Sequence, residues 1–497
     1  MRKRASGVLL HITALPSKYE IGDFGPEAYR FADFLMRAKQ RYWQVLPFCP
    51  ISSEATGNPY NGLSVFAGNT GFISPELLYQ QGLLSKGQIQ NMPDFPANVN
   101  YRLALSYKSK LLNYAFERFR STPKKAAFRR FCDANKGWLE DYAIFIALRR
   151  HFWPSLWCDW PVEIRDRKKK ALEAVKVQFR DAIEREKFCQ YVFFSQWAEL
   201  KRYCNRQGVR IIGDVPIYVA YNSADVWAHP EFFSLTGAKR PRFVSGVPPD
   251  KFSSTGQLWG NPVYNWKALG KKGYQWWIER IEHNLKFFDL VRIDHFRGFN
   301  AYWQVPAGSK TAAGGKWVRG PREAFFNELF KHVRRTSIIA EDLGYITDDV
   351  RKLISKFNLT SMKVLLFAFD GDSAKNLHWP RNHVKNAVVY TGTHDTNTVR
   401  GWLRKEAGAS QKKRLFDCLG HTVSAGQVSW EMIKLAMSSI ADITIVPMQD
   451  VLNLGEEARM NHPGTVVGNW SWQLERKQIK FSIVRRLARI TMKYGRS

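Results

Sequence analysis

Three carboxylates occupy comparable places along this chain of 497 residues, namely Asp294, Glu341 and Asp395. Each stands at or shortly after the end of an apolar run about as long as one buried strand. His295 directly follows Asp294, and His394 directly precedes Asp395. In an α/β barrel the carboxyl ends of the strands form the catalytic face. Three acids delivered to one rim of such a barrel favour chemistry at a glycosidic bond.

The segment Arg292-Ile293-Asp294 would place two opposite charges side by side. Successive side chains of a strand point to opposite faces, so Arg292 and Asp294 share one face. A guanidinium so close favours the ionised carboxylate, and we expect it to lower the pKa of Asp294. An acid held as carboxylate at neutral pH suits a nucleophile. The alternative is a purely structural Arg–Asp pair in the barrel wall.

Glu341 follows the apolar residues Ile338–Ala340 and precedes Asp342. Burial at a strand end would raise the pKa of Glu341 towards the range of a general acid, while Asp342 should point away from it. Two carboxylates with separated pKa values across one bond form the arrangement of glycosidases, in which a spacing of roughly 5–5.5 Å indicates retention of configuration. The alternative is a surface Glu-Asp pair that caps a turn.

Two further acids are candidates for binding rather than bond cleavage. Asp395 lies in a loop after the predicted seventh strand, and we expect it to hold sugar hydroxyl groups and to support positive charge on the ring. Asp214 stands at the end of the third predicted strand and is expected to do similar work. A lone Asp is more commonly a helix N-cap or turn residue, which is the alternative for both.

Acids and histidines at strand ends also build metal sites, so metal chemistry is the main rival interpretation. The sequence has no H-x-H or H-E-x-x-H spacing and no glycine-rich phosphate loop. The spacing of the carboxylates therefore favours sugar chemistry over a metal centre, without excluding the metal.

The elements that must position these residues alternate along the chain. Apolar residues recur at helical spacing in segments that include 26–38, 276–287 and 322–333. Eight short apolar or β-branched runs are predicted as strands: 7–11, 42–46, 210–215, 290–294, 337–341, 364–367, 387–391 and 443–447. Strand and helix alternating eight times predict an α/β fold of the (β/α)8 TIM-barrel type.

The gaps between the predicted strands are uneven, which predicts insertions into the barrel. Residues 1–497 are expected to form one catalytic barrel domain, within which 75–200 form a mainly helical insertion. A second insertion, 216–275, is rich in Gly, Pro and aromatic residues. We interpret it as a loop-rich segment that shapes the substrate cleft, because loops of that length usually form part of a site.

The composition indicates a folded protein with a basic surface. Hydrophobic residues make up 45%, and 75 Lys and Arg against 44 Asp and Glu give a net charge of +31. The basic runs are scattered and no zinc-finger or RNP pattern accompanies them, so no specific nucleic acid is expected as a partner. Six cysteines without paired spacing and the lack of a membrane-length apolar stretch predict a cytoplasmic protein without a membrane partner. The number of subunits is left open.

Taken together, the motifs resemble those of the amylomaltases, or disproportionating enzymes, of glycoside hydrolase family 77, which are 4-alpha-glucanotransferases. The resemblance covers nearly the whole chain. Besides the three acidic motifs, it is carried by the segments SGVLLH (6–11), LPS (15–17), IGD (21–23), WQVLP (43–47), NPY (58–60), FAGN (66–69), GDVPIY (213–218), GVPPD (246–250), TGQLWGNP (255–262), QD (449–450) and EARMNHPG (457–464).

The resemblance implies a role for each matching residue. Asp294 matches the family's nucleophile, Glu341 its general acid/base and Asp395 its transition-state stabiliser. Residues around the sugar at the cleavage point are matched by Tyr60, Asp214, Arg292 and His394. Contacts further along the glucan are matched by Asp250, Gln257, Trp259, Asp370 and Asn461.

The resemblance also implies the reaction and its partners. The family moves α-1,4-glucan segments from a donor to the 4-hydroxyl of an acceptor glucose or maltooligosaccharide, by a retaining double displacement through a covalent glycosyl-Asp intermediate. It needs no cofactor and no catalytic metal. This chain departs from the usual family pattern at Lys18, Glu20, Asn58 and Thr396, which leaves the catalytic groups in place and is expected to alter the outer donor subsites.

Two other functions are compatible with parts of the pattern. A simple α-glucan hydrolase would share all three carboxylates. A non-enzymatic protein that binds glucan or nucleic acid is suggested by the charge, but such a protein would be expected to have lost one of the three acids, and all are present.

Overall fold

The structure, a computed structural model, describes residues 3–52, 57–96, 99–123, 125–249, 253–465 and 467–497. Within these residues the strands are β1 (Ala5–Leu9), β2 (Tyr42–Gln44), β3 (Arg210–Val215), β4 (Phe243–Val247), β5 (Gln257–Pro262), β6 (Leu290–Ile293), β7 (Ala301–Pro306), β8 (Lys316–Arg319), β9 (Ile338–Ala340), β10 (Ser361–Val364), β11 (Ala387–Tyr390) and β12 (Ile443–Pro447). The α-helices are α1 (Pro26–Arg37), α2 (Pro75–Gln80), α3 (Lys86–Gln90), α4 (Tyr101–Arg120), α5 (Ala126–Ala134), α6 (Lys136–His151), α7 (Val162–Arg165), α8 (Lys169–Gln178), α9 (Arg180–Arg206), α10 (Ala224–Ala228), α11 (Trp266–Lys271), α12 (Gln275–Phe287), α13 (Glu323–His332), α14 (Asp348–Lys356), α15 (Val399–Gly401), α16 (Ala409–Leu419), α17 (Val428–Ser438), α18 (Met448–Val451) and α19 (Phe481–Lys493).

Eight of the strands form one parallel sheet in the order β10-β11-β12-β1-β2-β3-β6-β9. The two edge strands nearly meet, because Ile339 forms a parallel bridge with Thr360 and the Ala340 N–H donates to the Thr360 carbonyl at 2.8 Å. Almost every residue of these strands is buried, as expected for strands with packed side chains inside the sheet and helices outside it. The sheet is thus a nearly closed barrel, and the predicted TIM-barrel fold is confirmed.

The predicted strands coincide with the observed ones at seven of the eight places. The sixth prediction, 364–367, is wrong: the strand is Ser361–Val364, and Leu365–Phe367 form a 3-10 turn. The sequence conceals this strand because Lys363 interrupts its apolar run. In the structure the Lys363 side chain is buried and its Nζ lies 3.5 Å from the Asp342 carboxylate, which makes a lysine acceptable inside a strand.

The long segment between β2 and β3 contains the helices α2 to α9. It docks on the barrel through aromatic packing, in which the ring of Phe24 lies 5.2 Å from that of Phe193 and 5.3 Å from that of Trp197. A buried ion pair of 2.9 Å between Lys108 and Asp23 adds a polar link. The boundaries 75–200 proposed for a separate helical insertion remain a prediction.

A second sheet, with the order β5-β4-β7-β8 and antiparallel pairing, was not predicted. Its strands β4 and β5 lie within 216–275, which we interpreted as loop. Gly246 is one reason why these strands were not predicted, because glycine usually indicates a loop. In the structure a Cβ at this position would lie 2.4 Å from the Gln257 carbonyl oxygen, so the glycine permits close pairing of β4 and β5. The sheet stands beside the barrel rim, because Trp259 of β5 contacts His295 with ring centroids 4.7 Å apart.

Among the described residues, no helix combines the length and the apolar character that crossing a bilayer would require.

Candidate active site

The carboxyl ends of adjacent barrel strands bring two of the predicted acids together. Asp294 immediately follows β6 and Glu341 immediately follows β9, while Asp395 lies in the loop after β11. Strands β6 and β9 are hydrogen-bonded neighbours, and the Glu341 N–H donates to the Ile293 carbonyl at 3.1 Å. Asp294 and Glu341 therefore emerge side by side from the same end of the barrel.

The Glu341 carboxylate is held by the backbone of two loops. Its Oε2 accepts a hydrogen bond from the His295 N–H at 2.7 Å, and its Oε1 accepts one from the Leu343 N–H at 2.8 Å. Because His295 directly follows Asp294, the first bond keeps the Glu341 carboxyl group next to Asp294. This is the placement that two carboxylates acting on one bond require.

Asp342 faces another direction, as expected. Its Oδ1 accepts from the Met362 N–H at 2.7 Å and its Oδ2 lies 3.5 Å from the Lys363 ammonium group. The acid therefore helps to join β9 to β10 across the nearly closed seam of the barrel, and the acid pair Glu341-Asp342 is divided between the site and the barrel wall.

Arg292 joins Asp294 to Asp214 inside the barrel rim. Its side chain is buried, donates to both oxygens of Asp214 at 2.7 and 2.9 Å, and lies 2.9 Å from the Asp294 carboxylate. The guanidinium is thus shared by two carboxylates, one fully buried and one that faces the cleft. The arrangement fixes the orientation of Asp294, because a planar guanidinium offers its donors in fixed directions.

Tyr60 and His394 extend this network to Asp395. The Tyr60 hydroxyl donates to Asp214 at 2.7 Å and lies 2.7 Å from Nε2 of His394, while the two rings stack with centroids 5.5 Å apart. A hydroxyl has one hydrogen, so with Asp214 as its acceptor it must accept from His394, which places a hydrogen on Nε2. The same Nε2 lies 3.2 Å from the Asp395 carboxylate.

Asn461 completes the surroundings of Asp395. Its amide group donates to Asp395 Oδ1 at 2.6 Å, and its backbone N–H donates to the His394 carbonyl at 3.1 Å. A continuous series of contacts therefore runs from Glu341 to Asn461, and it brings together eight predicted residues: Tyr60, Asp214, Arg292, Asp294, Glu341, His394, Asp395 and Asn461.

Burial has the largest effect on the ionisation of Glu341. It raises the pKa of Glu341 to about 8, with the negative charge of Asp294 acting in the same direction and Arg292 and the two backbone N–H donors opposing it. The prediction of a raised pKa was therefore right in direction and in cause. A carboxyl group with such a pKa carries a proton at neutral pH and can give it to a leaving oxygen.

The expectation for Asp294 was wrong in sign. Arg292 lies beside it as predicted and favours the carboxylate, but burial is the larger effect, and the charges of Asp214 and Asp395 add to it, so that the pKa of Asp294 rises to about 6. Asp294 is still mostly ionised near pH 7, so it can act as a nucleophile. The sequence shows the neighbouring arginine but not the depth of burial.

The pKa of Asp395 is shifted in the opposite direction. Burial alone would raise the pKa of Asp395, but the neighbouring His394, the hydrogen bond from Asn461 and the charge of Arg292 outweigh it and hold the pKa well below the usual range. Asp395 is therefore an anion at every pH at which the protein is expected to work. An anion fixed in this way can stabilise positive charge but cannot donate a proton.

The predicted contacts further along the glucan have different surroundings. Trp259 is 37% exposed and presents its indole beside His295, and its Nε1 lies 3.3 Å from Oε1 of Gln257. Asp370 lies beyond the end of β10 and accepts a hydrogen bond of 2.5 Å from Gln411. Asp250 lies outside the described residues. The roles of these four residues, and of Asn461, in binding the glucan remain predictions.

His295 is a site residue to which sequence reasoning gave no role. It adopts a left-handed backbone conformation with φ of 46°, which turns its N–H towards Glu341, and its ring packs edge-on against Trp259. Burial and the nearby Arg297 lower the pKa of His295 to about 3, so the ring is neutral. The only signal in the sequence was its position directly after Asp294.

Across the described part of the chain, no group of three or more His, Cys, Asp or Glu side chains is arranged to hold a metal ion. The acids of the site have their oxygens engaged by N–H donors and by Arg292 instead.

Known proteins are similar to this chain in both sequence and fold. The chain matches the family model of glycoside hydrolase family 77, described as 4-alpha-glucanotransferase, over residues 10–478. It is 45% identical to the 4-alpha-glucanotransferase of Aquifex aeolicus (95% of this chain and 96% of that protein) and 43% identical to that of Clostridium butyricum (98% and 100%). The structure of an amylomaltase from Streptococcus agalactiae in complex with acarbose superposes with a TM-score of 0.95, at 35% identity over the whole of both chains. The chain therefore belongs to glycoside hydrolase family 77, and it is an enzyme with 4-alpha-glucanotransferase activity.

Proposed function

We propose that Asp294, Glu341 and Asp395 perform this transfer by a retaining double displacement, with α-1,4-glucans and maltooligosaccharides as donors and acceptors. The observation that carries the proposal is the hydrogen-bonded series from Glu341 to Asn461, which places two acids with raised pKa and one with lowered pKa at one end of the barrel. Such separated ionisation states assign different chemical tasks to three similar side chains.

In the first step Glu341 gives its proton to the glycosidic oxygen while the Asp294 carboxylate attacks the anomeric carbon. The bond from that carbon to the leaving oxygen breaks, the leaving glucan departs with a new 4-hydroxyl, and the donor segment is esterified to Asp294. The pKa of about 8 keeps Glu341 protonated for this task, and the pKa of about 6 keeps Asp294 ionised.

In the second step Glu341, now ionised, takes the proton from the 4-hydroxyl of an acceptor. The acceptor oxygen attacks the anomeric carbon, the ester bond to Asp294 breaks, and both carboxyl groups return to their initial states. Two inversions at one carbon restore the α-linkage. Protons and bonds balance over the cycle without a cofactor.

Asp395 and its neighbours act on the charge that develops between these steps. The sugar ring becomes oxocarbenium-like in the transition state, and a fixed anion nearby lowers the energy of that state more than the energy of the bound substrate. Asp214, Arg292, Tyr60 and His394 hold the charges of the site in place around it.

Transfer must also outcompete attack by water. We assign this task to the segment 246–264, in which β5 carries the partly exposed Trp259 towards the rim. The contact of Trp259 with His295 supports the assignment, because His295 lies between Asp294 and the Glu341 carboxylate. Aromatic faces pack well against sugar rings and so favour an acceptor sugar over water at this place.

Incubation of the pure protein with maltotriose tests the proposal. A transferase yields glucose together with a ladder of longer maltooligosaccharides, whereas a hydrolase yields only glucose and maltose. Loss of the ladder in the Asp294→Asn protein, with maltotriose binding retained, is the expected result for the proposed nucleophile. A normal ladder from that variant would contradict the assignment.

A further inference from the structure

The loop that carries His394 and Asp395 is attached at both ends to one buried carboxylate, Asp450. The Thr391 hydroxyl donates to Asp450 Oδ2 at 2.6 Å, and the Val399 N–H donates to Oδ1 at 2.8 Å. Thr391 follows β11 directly and Val399 begins α15, so these two bonds close the loop where it leaves the barrel and where it returns.

Asp450 takes no part in the reaction derived above, and its burial demands an explanation. The residue is 1% exposed, and within the described residues its carboxylate interacts with two hydrogen-bond donors and no cation. Burying a carboxylate without a cation is costly, and burial accordingly raises the pKa of Asp450 to about 6. Asp450 lies in the short helix α18 at the end of β12, but its carboxylate bonds to the loop after β11 rather than to its own helix.

Hydrogen bonds hold this loop in addition to packing. A cavity of about 20 Å³ lies beneath it, lined in part by His11, His394, Thr396 and Asp450. On the cleft side, Asn461 and Arg459 bond to the same loop, through the His394 and Asp395 carbonyls respectively.

We propose that Asp450 is a positioning residue for the transfer reaction, whose carboxylate holds both ends of the loop 391–399 and thereby sets where His394 and Asp395 lie against the sugar ring. The inference rests on the role proposed above for Asp395. Because Asp395 acts on charge that exists only in the transition state, a displaced loop should lower kcat and leave KM almost unchanged.

The first test compares Asp450→Ala with Asp450→Asn. Alanine removes both bonds, and we expect kcat to fall by about 100-fold with KM unchanged, the loss typical of a displacement of about 1 Å in a catalytic group. Asparagine keeps the shape: its amide oxygen accepts from the Val399 N–H and its amide nitrogen donates to the Thr391 hydroxyl, so activity should return to within about threefold of the parent. Equal kcat values for the alanine variant and the parent would overturn the proposal.

The second test covers the possibility that Asp450→Ala does not fold. Thr391→Val removes one of the two bonds, and Thr444→Val is its matched control, because Thr444 is equally buried in β12 and donates to the Ala436 carbonyl without touching the loop. We expect about a tenfold loss of kcat for Thr391→Val and none for Thr444→Val. Equal effects of the two substitutions would show a general cost of losing a buried hydroxyl and would overturn the proposal.

A double substitution separates positioning from an independent role. If Asp450 acts mainly through Asp395, adding Asp450→Ala to Asp395→Asn should cost much less activity than Asp450→Ala costs in the parent, because only the placement of His394 is left to disturb. Losses that multiply would overturn the inference and leave the role of Asp395 intact. An Asp395→Asn protein with normal kcat would instead refute the proposed role of Asp395 itself, so the two failures are distinguishable.

Discussion

Carboxyl groups at two places in the site have pKa values shifted in opposite directions. One place is the ends of β6 and β9, and the other is the loop after β11. At the strand ends, burial raises the pKa of Asp294 to about 6 and of Glu341 to about 8. In the loop, His394 and Asn461 overcome burial and hold the pKa of Asp395 well below its usual range. All three acids lie in one network, so the difference comes from how far the charges and hydrogen-bond donors next to each acid offset its burial.

This difference teaches how one site divides its tasks. Glu341 can change its ionisation state near neutral pH, as an acid/base residue must during the cycle, and Asp294 is mostly ionised there, as a nucleophile must be. The loop acid cannot change its state, which suits a group that only stabilises charge.

Asp294→Asn should remove the proposed nucleophile at the end of β6. An amide is not a nucleophile towards the anomeric carbon, so kcat for maltotriose should fall on the order of 10⁴-fold while binding of the glucan persists. The control is Asp289→Asn at the opposite end of β6, where the carboxylate accepts from the Ile211 N–H at 2.7 Å and lies away from the rim. Similar losses in both variants would mean that the strand, and not the nucleophile, had been damaged.

Glu341→Gln should reduce transfer from maltotriose by roughly 10²- to 10⁴-fold, because the leaving oxygen no longer receives a proton. The formation of the intermediate from a glucosyl fluoride should be largely retained, since fluoride leaves without protonation. In the parent protein, kcat/KM should fall below about pH 6, as Asp294 becomes protonated, and above about pH 8, as Glu341 loses its proton; both limbs belong to the coupled pair. An alkaline limb that persists in Glu341→Gln would contradict the assignment.

The same variant should change stability in a direction fixed by the raised pKa. The folded state holds the proton of Glu341 more tightly than the unfolded state, so this stabilisation is present below the ordinary pKa of 4.5 and is lost as the pH rises through about 8. Glu341→Gln should therefore unfold at the same urea concentration as the parent at pH 4, and be more stable by a few kcal/mol at pH 9. Greater stability of the parent at pH 9 would show that Glu341 is ionised without penalty.

Asn461→Ala should produce the smallest loss of activity, because it changes only the surroundings of Asp395 in the loop after β11. It removes one neutral donor to Asp395 but leaves His394 and Arg292, so kcat should fall by about tenfold with little change in KM. Asn469→Ala is the control, because Asn469 lies in the same segment and bonds to Thr465 and His462 rather than to Asp395. A larger loss in the control would assign the effect to the segment as a whole.

The strand ends were more predictable from the sequence than the segments between them. Seven of the eight barrel strands, and the positions of Asp294 and Glu341 at strand ends, follow from apolar runs that end in a polar residue, because a buried parallel strand has few other compositions available. The second sheet and the strand containing Lys363 were missed, because Gly246 and a buried lysine carry the wrong local signal. Their acceptability depends on partners that only the folded chain provides.

The ionisation of the site was predictable only in part. Glu341 lies after three apolar residues, and its raised pKa could be inferred from them. Asp294 has a charged neighbour in sequence, which suggested the wrong sign, since the sequence does not show how much water the fold removes. Asp450 bonds to the loop that carries Asp395 although the two are far apart in the chain, so no local sequence pattern predicts this contact.

The central claim is that Asp294 bonds covalently to the sugar while Glu341 handles the proton. The most direct test is mass spectrometry of the Glu341→Gln protein after incubation with α-maltotriosyl fluoride, because this donor needs no acid to react and the variant lacks the base that releases the ester. We expect a mass increase of one maltotriosyl group on the peptide that contains Asp294. An unmodified protein, or a maltotriosyl group on Asp395 or another residue, would contradict it.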